Sequence, residues 1–278
     1  MRKIIKTLAR IAGLEKPAHA AWMTLKAKGL TPWVPLVPED DFRRCVKAAI
    51  RSLDLSGDPA AFGDYLEFGV SRGSSLACVH KVLSEAGMTQ ARLIGFDSFE
   101  GMPSGSEAEG WTEGDFRSTL PATKRHLASK GVNLNRVELV KGWFDDTLND
   151  GTRDRLNLSR AGLIMIDCDI YSASKQALEF CEPFIGEQAI IMFDDWGWAE
   201  QMGKAGQKEA FAEFLAAHPS LKASALAGYN ASSRIFHVRR EAVVAKARKR
   251  TRKAMPACVL AMAIPMAAGA EFLEALPV

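Results

Sequence analysis

The sequence predicts an α/β fold: a Rossmann-like, mostly parallel sheet with an antiparallel C-terminal strand and helices on both faces. Three observations predict it. Short apolar runs alternate with stretches of helical period, the pattern of a parallel sheet covered by helices. Two of those runs, Ala161–Ile166 and Gln188–Phe193, are apolar almost throughout and are closed by acids, as expected of central strands buried on both faces. The last two runs are separated only by Gly228-Tyr229-Asn230, a short turn that joins antiparallel neighbours.

In chain order, residues 1–30 read as a basic amphipathic helix, and Thr31–Pro38, with three prolines in eight residues, as an extended linker. Phe42, Val46, Ile50 and Leu53 recur at helical spacing, and the Gly-, Asp- and Pro-rich stretch from Asp54 to Gly63 reads as loop. Strands are then expected at Tyr65–Val70, Arg92–Phe96, Val137–Val140, Leu163–Ile166 and Ala189–Phe193. Helices are expected at Ser75–Glu85, Thr123–Lys130, Ser174–Phe180 and Gln207–Ala217. The closing hairpin takes Lys222–Leu226 and Ser233–Val238. This divides the chain into an arm and linker (1–40), a core domain (41–240) and a tail (241–278).

Composition narrows the function. The formal charge of +3 is misleading, because Arg239, Arg240, Lys246, Arg248, Lys249, Arg250, Arg252 and Lys253 crowd one segment that holds a single acid, Glu241. Without them the chain is mildly acidic, which argues against nucleic acid as a partner. Five scattered cysteines, never in a C-x-x-C pair, suggest neither a disulfide framework nor a zinc site and fit a reducing, cytoplasmic location. Lys6, Arg10, Glu15 and Lys16 interrupt any signal-peptide core. The uncharged stretch 254–270 is short for a span and broken by Pro256 and Pro265, so membrane contact through the tail is not favoured. A homo-oligomer is compatible with the pattern.

Chemistry concentrates at the ends of the predicted strands. Asp167 and Asp169 follow one buried run, Asp194 and Asp195 the other. Neighbouring strands lie ~4.8 Å apart, so these acids converge if the strands pair, and carboxylates suit a hard divalent cation such as Mg2+. The plainer alternative is a set of helix N-caps, with Asp169 or Ser172 capping the next helix. At the first strand, Glu67, Gly69, Gly73, Ser74 and Ser75 form an acid, a glycine turn and a helix start. The turn lacks the G-x-G-x-x-G of a phosphate loop, and Glu67 would repel phosphate, so a cationic ligand such as an amino group fits better. Asp97, ending the second strand and followed by Ser98, is placed to accept from ribose hydroxyls; Phe99, Met102 and Pro103 are either pocket wall or, the commoner place for Phe and Met near a strand end, core. Gly142-Trp143-Phe144 is placed to flank an adenine ring.

Taken together, Glu67–Ser75, Phe96–Pro103, Gly142–Leu148, Asp167–Tyr171 and Phe193–Asp195 resemble, in order, the motifs of the macrocin O-methyltransferase (TylF/MycF-like) family of class I methyltransferases. The resemblance implies an S-adenosyl-L-methionine- and magnesium-dependent enzyme methylating a hydroxyl of a sugar, polyol-like small molecule or glycan. By similarity Asp167, Asp194 and Asp195 bind the metal, and Asp169 or Asp167 is the general base. Glu67, Gly69, Asp97, Ser98 and the Gly142 segment hold the cofactor. The chain departs from the family where Ser172-Ala-Ser-Lys175 replaces Glu-Ser-Thr-Lys, which bears on the acceptor side, where Trp22, Trp33 and Glu109–Trp111 are expected to contribute. Two other readings compete: a haloacid-dehalogenase-like phosphotransferase, which also uses strand-end acids, and a non-catalytic nucleotide-binding scaffold.

Overall fold

A computed structural model of the chain describes residues 15–35 and 37–241, with side chains from Ala20 onward. The start of the N-terminal helix, the basic run 246–253 and the uncharged stretch 254–270 lie outside the described residues. Seven strands form one sheet: β1 (Asp64–Phe68), β2 (Leu93–Asp97), β3 (Val137–Lys141), β4 (Ala161–Ile166), β5 (Gln188–Phe193), β6 (Leu221–Leu226) and β7 (Arg234–Arg240). Their order is β3-β2-β1-β4-β5-β7-β6. The first five are parallel, and β7 alone runs against its neighbours β5 and β6. Each strand overlaps its expected range, and the antiparallel element is where the closing hairpin predicted it.

The helices are α1 (Glu15–Ala27), α2 (Glu39–Arg51), α3 (Ser74–Glu85), α4 (Leu120–Ser129), α5 (Phe144–Thr147), α6 (Asp150–Leu156), α7 (Tyr171–Cys181) and α8 (Gln207–Ala217). They cover both faces, because side chains alternate sides along a strand. Tyr65, Leu93, Leu163 and Ile190 pack with Phe42, Val46 and Ile50 of α2 and Leu76, Val79 and Leu83 of α3. Their strand neighbours Leu66, Ile94, Ile164 and Ile191 pack on the other face with Leu178 and Phe180 of α7 and Phe211 and Phe214 of α8. Every residue of β4 and β5 is buried, so each position takes an apolar residue wherever no hydrogen bond is available. At ~1.5–3 kcal/mol per fully buried large aliphatic or aromatic side chain, these two layers dominate the stability.

Two helices escaped the sequence pattern. α5 and α6 lie in a polar stretch where Leu148 and Leu156 are too few to show a period, and α6 is set instead by Asn149, whose side chain accepts from Thr152 N–H at 2.9 Å. Gly73, in left-handed conformation, is the N-cap of α3, and Ser74 is already in the first turn.

The connections after β1 and β4 leave toward opposite faces, which opens a crevice between their C-terminal ends. There the backbones nearly touch. A Cβ on Gly69, at φ +90°, would lie 1.7 Å from the Asp167 carbonyl oxygen, so only glycine permits this approach.

Candidate active site

A cavity of about 1200 Å³ opens at that crevice. Its wall brings together Gly69, Ser74, Ser75, Asp97, Ser98, Gly142, Trp143, Asp167, Asp169, Asp194 and Asp195. Two expected residues, Glu67 and Gly73, do not line it.

Glu67 lies fully buried beneath the β1–α3 turn. Its carboxyl accepts from the Tyr65 hydroxyl at 2.6 Å and from the Ser75 hydroxyl at 2.5 Å, and burial pushes its pKa up to about 7 against those two bonds. It supports the turn from below and does not itself line the cavity. The reason is strand geometry: Tyr65 and Glu67, two apart, share one side of β1 and point into the core. Gly73 instead gives α4 room, since a Cβ there would sit 2.8 Å from Leu127.

Asp97 does line the cavity, with its oxygens engaged by the chain. Oδ2 accepts from Val70 and Ser71 N–H at 2.8 and 2.7 Å, and Oδ1 from Phe99 N–H at 2.5 Å. The acid thus ties the β1–α3 turn to the end of β2. Ser98 hydrogen-bonds within its own loop, accepting from Glu100 N–H at 3.1 Å. Of the two readings, Met102 and Pro103 take the wall and Phe99 the core. Trp143 is 41% exposed beside Gly142, an open ring at the cavity mouth. Trp33 reaches the wall too, donating from Nε1 to Ser74 Oγ at 2.7 Å, while Trp22 stands half-exposed outside it.

The other half of the cavity is acidic. Oxygens of Asp167, Asp194 and Asp195 lie within 4.8 Å of one another. β5 ends at Phe193, so the chain has already turned and both consecutive aspartates can face the same point. Burial, then mutual repulsion, holds Asp167 and Asp195 well above the ordinary carboxylate range. Asp194 is raised by burial, offset in part by the Tyr229 hydroxyl and by Asp167. Asp195 Oδ2 is buried without a hydrogen-bond partner, and no ion pair among the described residues involves any of these acids. Three carboxylates from two strand ends, one with an orphaned oxygen, fit a hard divalent cation.

Asp169 stands apart from the trio on the same wall, in left-handed backbone at φ +61°, and burial with nearby Asp194, Asp115 and Glu109 pushes it up to about 7. Neither it nor Ser172 caps α7, whose N-cap is Ile170 without a side-chain bond. The plainer capping alternative is not what these acids do. Beyond them, Trp111 and Trp198 stack at 4.8 Å and line the cavity.

Two site residues carried no usable signal. Tyr229, in the turn between β6 and β7, donates its hydroxyl to Asp194 Oδ1. Gln207, at the start of α8, bonds the backbone at both strand ends. The sequence places each in a turn or helix start, but such contacts depend on distant segments meeting.

The sequence model of the macrocin O-methyltransferase (TylF) family matches residues 42–218. The chain belongs to this family. Two curated relatives agree with the TylF match. One is the 8-demethyl-8-(2,3-dimethoxy-alpha-L-rhamnosyl)-tetracenomycin-C 4'-O-methyltransferase of Streptomyces olivaceus, 29% identical over 166 residues, covering 56% of this chain and 59% of the relative. The other is the mycinamicin III 3''-O-methyltransferase of Micromonospora griseorubida, 24% identical over 168 residues, covering 56% and 61%. The aligned part thus spans about 60% of the curated relatives' length. Among solved structures, the O-methyltransferase NovP superposes with a TM-score of 0.58 at 17% identity, over 79% of this chain and 88% of that one. The calicheamicin methyltransferase CalS11 gives 0.51 at 18%, over 73% and 94%. These two show that the chain shares the fold of those methyltransferases. Neither the family nor the fold supports a phosphotransferase or a non-catalytic scaffold.

Proposed function

We propose that the chain is an S-adenosylmethionine-dependent O-methyltransferase that acts on a hydroxyl of a sugar, polyol or glycan, with a divalent cation such as Mg2+ held by Asp167, Asp194 and Asp195. The observation that carries this reading is a single cavity that joins the turn after β1 to the acidic strand ends. Family membership supports methyl transfer, and the Streptomyces relative, named for 4'-O-methylation of a rhamnosyl tetracenomycin, supports a sugar acceptor.

S-adenosylmethionine supplies the sulfonium methyl, and a bound divalent cation supplies positive charge that eases loss of the hydroxyl proton. The protein's part is placement and proton removal. Gly69, Ser74, Ser75, Asp97 and Ser98 line the end of the cavity that receives the cofactor, with Gly142 and Trp143 beside its base. Asp169 takes the acceptor's proton. Its place outside the trio, on the same wall, favours it as base over Asp167, whose oxygen belongs to the trio. Trp111 and Trp198 offer a flat apolar surface to a sugar ring. Holding nucleophile and methyl in line is the larger part of the work.

Calorimetry with S-adenosylhomocysteine, with and without Mg2+, tests cofactor and metal together. Binding of both is expected, and methylation of any accepted sugar is expected to stop in excess chelator. Failure of S-adenosylhomocysteine to bind would overturn the methyltransferase reading, and full turnover in chelator would remove the metal from it.

A further inference from the structure

We infer that Gln207 is the positioning residue that fixes the spacing of the metal-binding carboxylates; this rests on the metal part of the proposed function. Gln207 is the first residue of α8 and is 0% exposed. Its amide bridges the two strand ends that carry the acids. Oε1 accepts from Asp195 N–H at 3.0 Å, and Nε2 donates to the Ile166 carbonyl at 3.2 Å. Those partners fix which end of the amide is which, because a peptide N–H only donates and a carbonyl only accepts.

The position of this bridge gives it a role. Ile166 and Phe193 are the last residues of β4 and β5 in register. The next residues along are Asp167 on one strand and Asp194 and Asp195 on the other, so the ladder stops where the like charges begin. One further backbone bond, from Asp194 N–H to the Ile166 carbonyl at 3.2 Å, continues the pairing. Gln207 adds a second link to the same carbonyl, from a different element. It acts as an extra rung against the repulsion that would splay the ends.

Nothing local asks for an amide here. At the helix start, capping is supplied by another residue, with Gly206 N–H donating to Glu209 Oε2 at 2.8 Å. An unpaired buried amide is costly, so burial alone would favour an aliphatic residue. The Gln side chain is explained by what it joins. Mg2+ demands near-ideal octahedral geometry at about 2.0–2.1 Å from each oxygen, so small errors in strand spacing are felt directly at the ion.

The test uses the full chain without acceptor. Mn2+ binding is followed by electron paramagnetic resonance and S-adenosylhomocysteine binding by calorimetry. Gln207→Met, close in size and apolar, removes both links and is expected to weaken Mn2+ binding about 10- to 100-fold, with S-adenosylhomocysteine affinity unchanged within about twofold. Gln207→Glu keeps the acceptor for Asp195 N–H and loses the donor to Ile166; it is expected to weaken Mn2+ less, and it decides the matter if the Met variant does not fold. Wild-type Mn2+ affinity in a folded variant overturns the inference. So does a parallel loss of both affinities, or failure of both variants to fold, since each makes Gln207 merely structural. Absence of Mn2+ binding to the wild type overturns the metal part of the proposed function and this inference with it, while leaving the cofactor reading to its own titration.

Discussion

At the ends of β1 and β2 the acids are engaged by donors of the chain itself, whereas at the ends of β4 and β5 they face one another. Glu67 has two hydroxyl donors and Asp97 three backbone N–H groups. Asp195 keeps a buried oxygen with no partner, and Asp167 is held well above its ordinary range by burial and by Asp194, Asp195 and Asp169. An acid engaged by its own fold braces that fold; one left without a donor at a cavity wall is open to positive charge from outside. Carboxylates of one molecule thus stand in two kinds of surroundings, told apart by their partners.

Three outcomes would sharpen or break this contrast. The largest effect is expected from the unmet acids: Asp195→Ala should lower kcat by at least ~10³-fold, about 4 kcal/mol of barrier, and abolish Mg2+ dependence. Initial rates with and without Mg2+ check this, and retained Mg2+-dependent turnover would erase the distinction. The next concerns the answered acids. Glu67 has a folded pKa of about 7 against 4.5 unfolded, so the folded state holds the extra proton between them. Its contribution is complete below pH 4.5 and is lost as pH rises through 7, a fall of about 3 kcal/mol. Denaturant melts of wild type and Glu67→Gln at pH 5 and 8 should show that the variant lacks this part of the slope. A slope equal to wild type would place the titration elsewhere. The smallest effect is expected where the halves are braced from outside: Tyr229→Phe removes one hydroxyl donor from Asp194 and should cost about 1 kcal/mol of Mn2+ affinity, measured by titration.

The sequence made the strands and the acid trio legible for one reason. A run buried on both faces must be apolar, so a carboxylate at its edge stands out, and adjacency of β4 and β5 is the ordinary outcome for consecutive parallel units. The helix Gln207–Ala217 was legible to the residue because its apolar spacing is regular. What stayed hidden was partnership. The engagement of Asp97 depends on the β1–α3 turn curling back over β2, and the bonds of Tyr229 and Gln207 join segments 35 and 41 residues from their partners. The burial of Glu67 was legible in principle. Its same-face neighbour Tyr65 lies only two residues away, and strand periodicity alone points both side chains inward.

Asp169 holds a backbone conformation that costs most residues energy and costs glycine nothing. The codons of aspartate and glycine differ by a single base. Asp169→Gly would therefore delete the carboxylate proposed as base while relieving strain in the chain around it, leaving the trio and the β1–α3 turn in place. Most routes from an enzyme to an inert relative pass through a loss of stability; on the role proposed for Asp169, one nucleotide would remove the base and leave the fold of the site in place. Descendants of this fold that bind without reacting are accordingly within easy mutational reach, and a glycine at this position is the mark by which to recognise them.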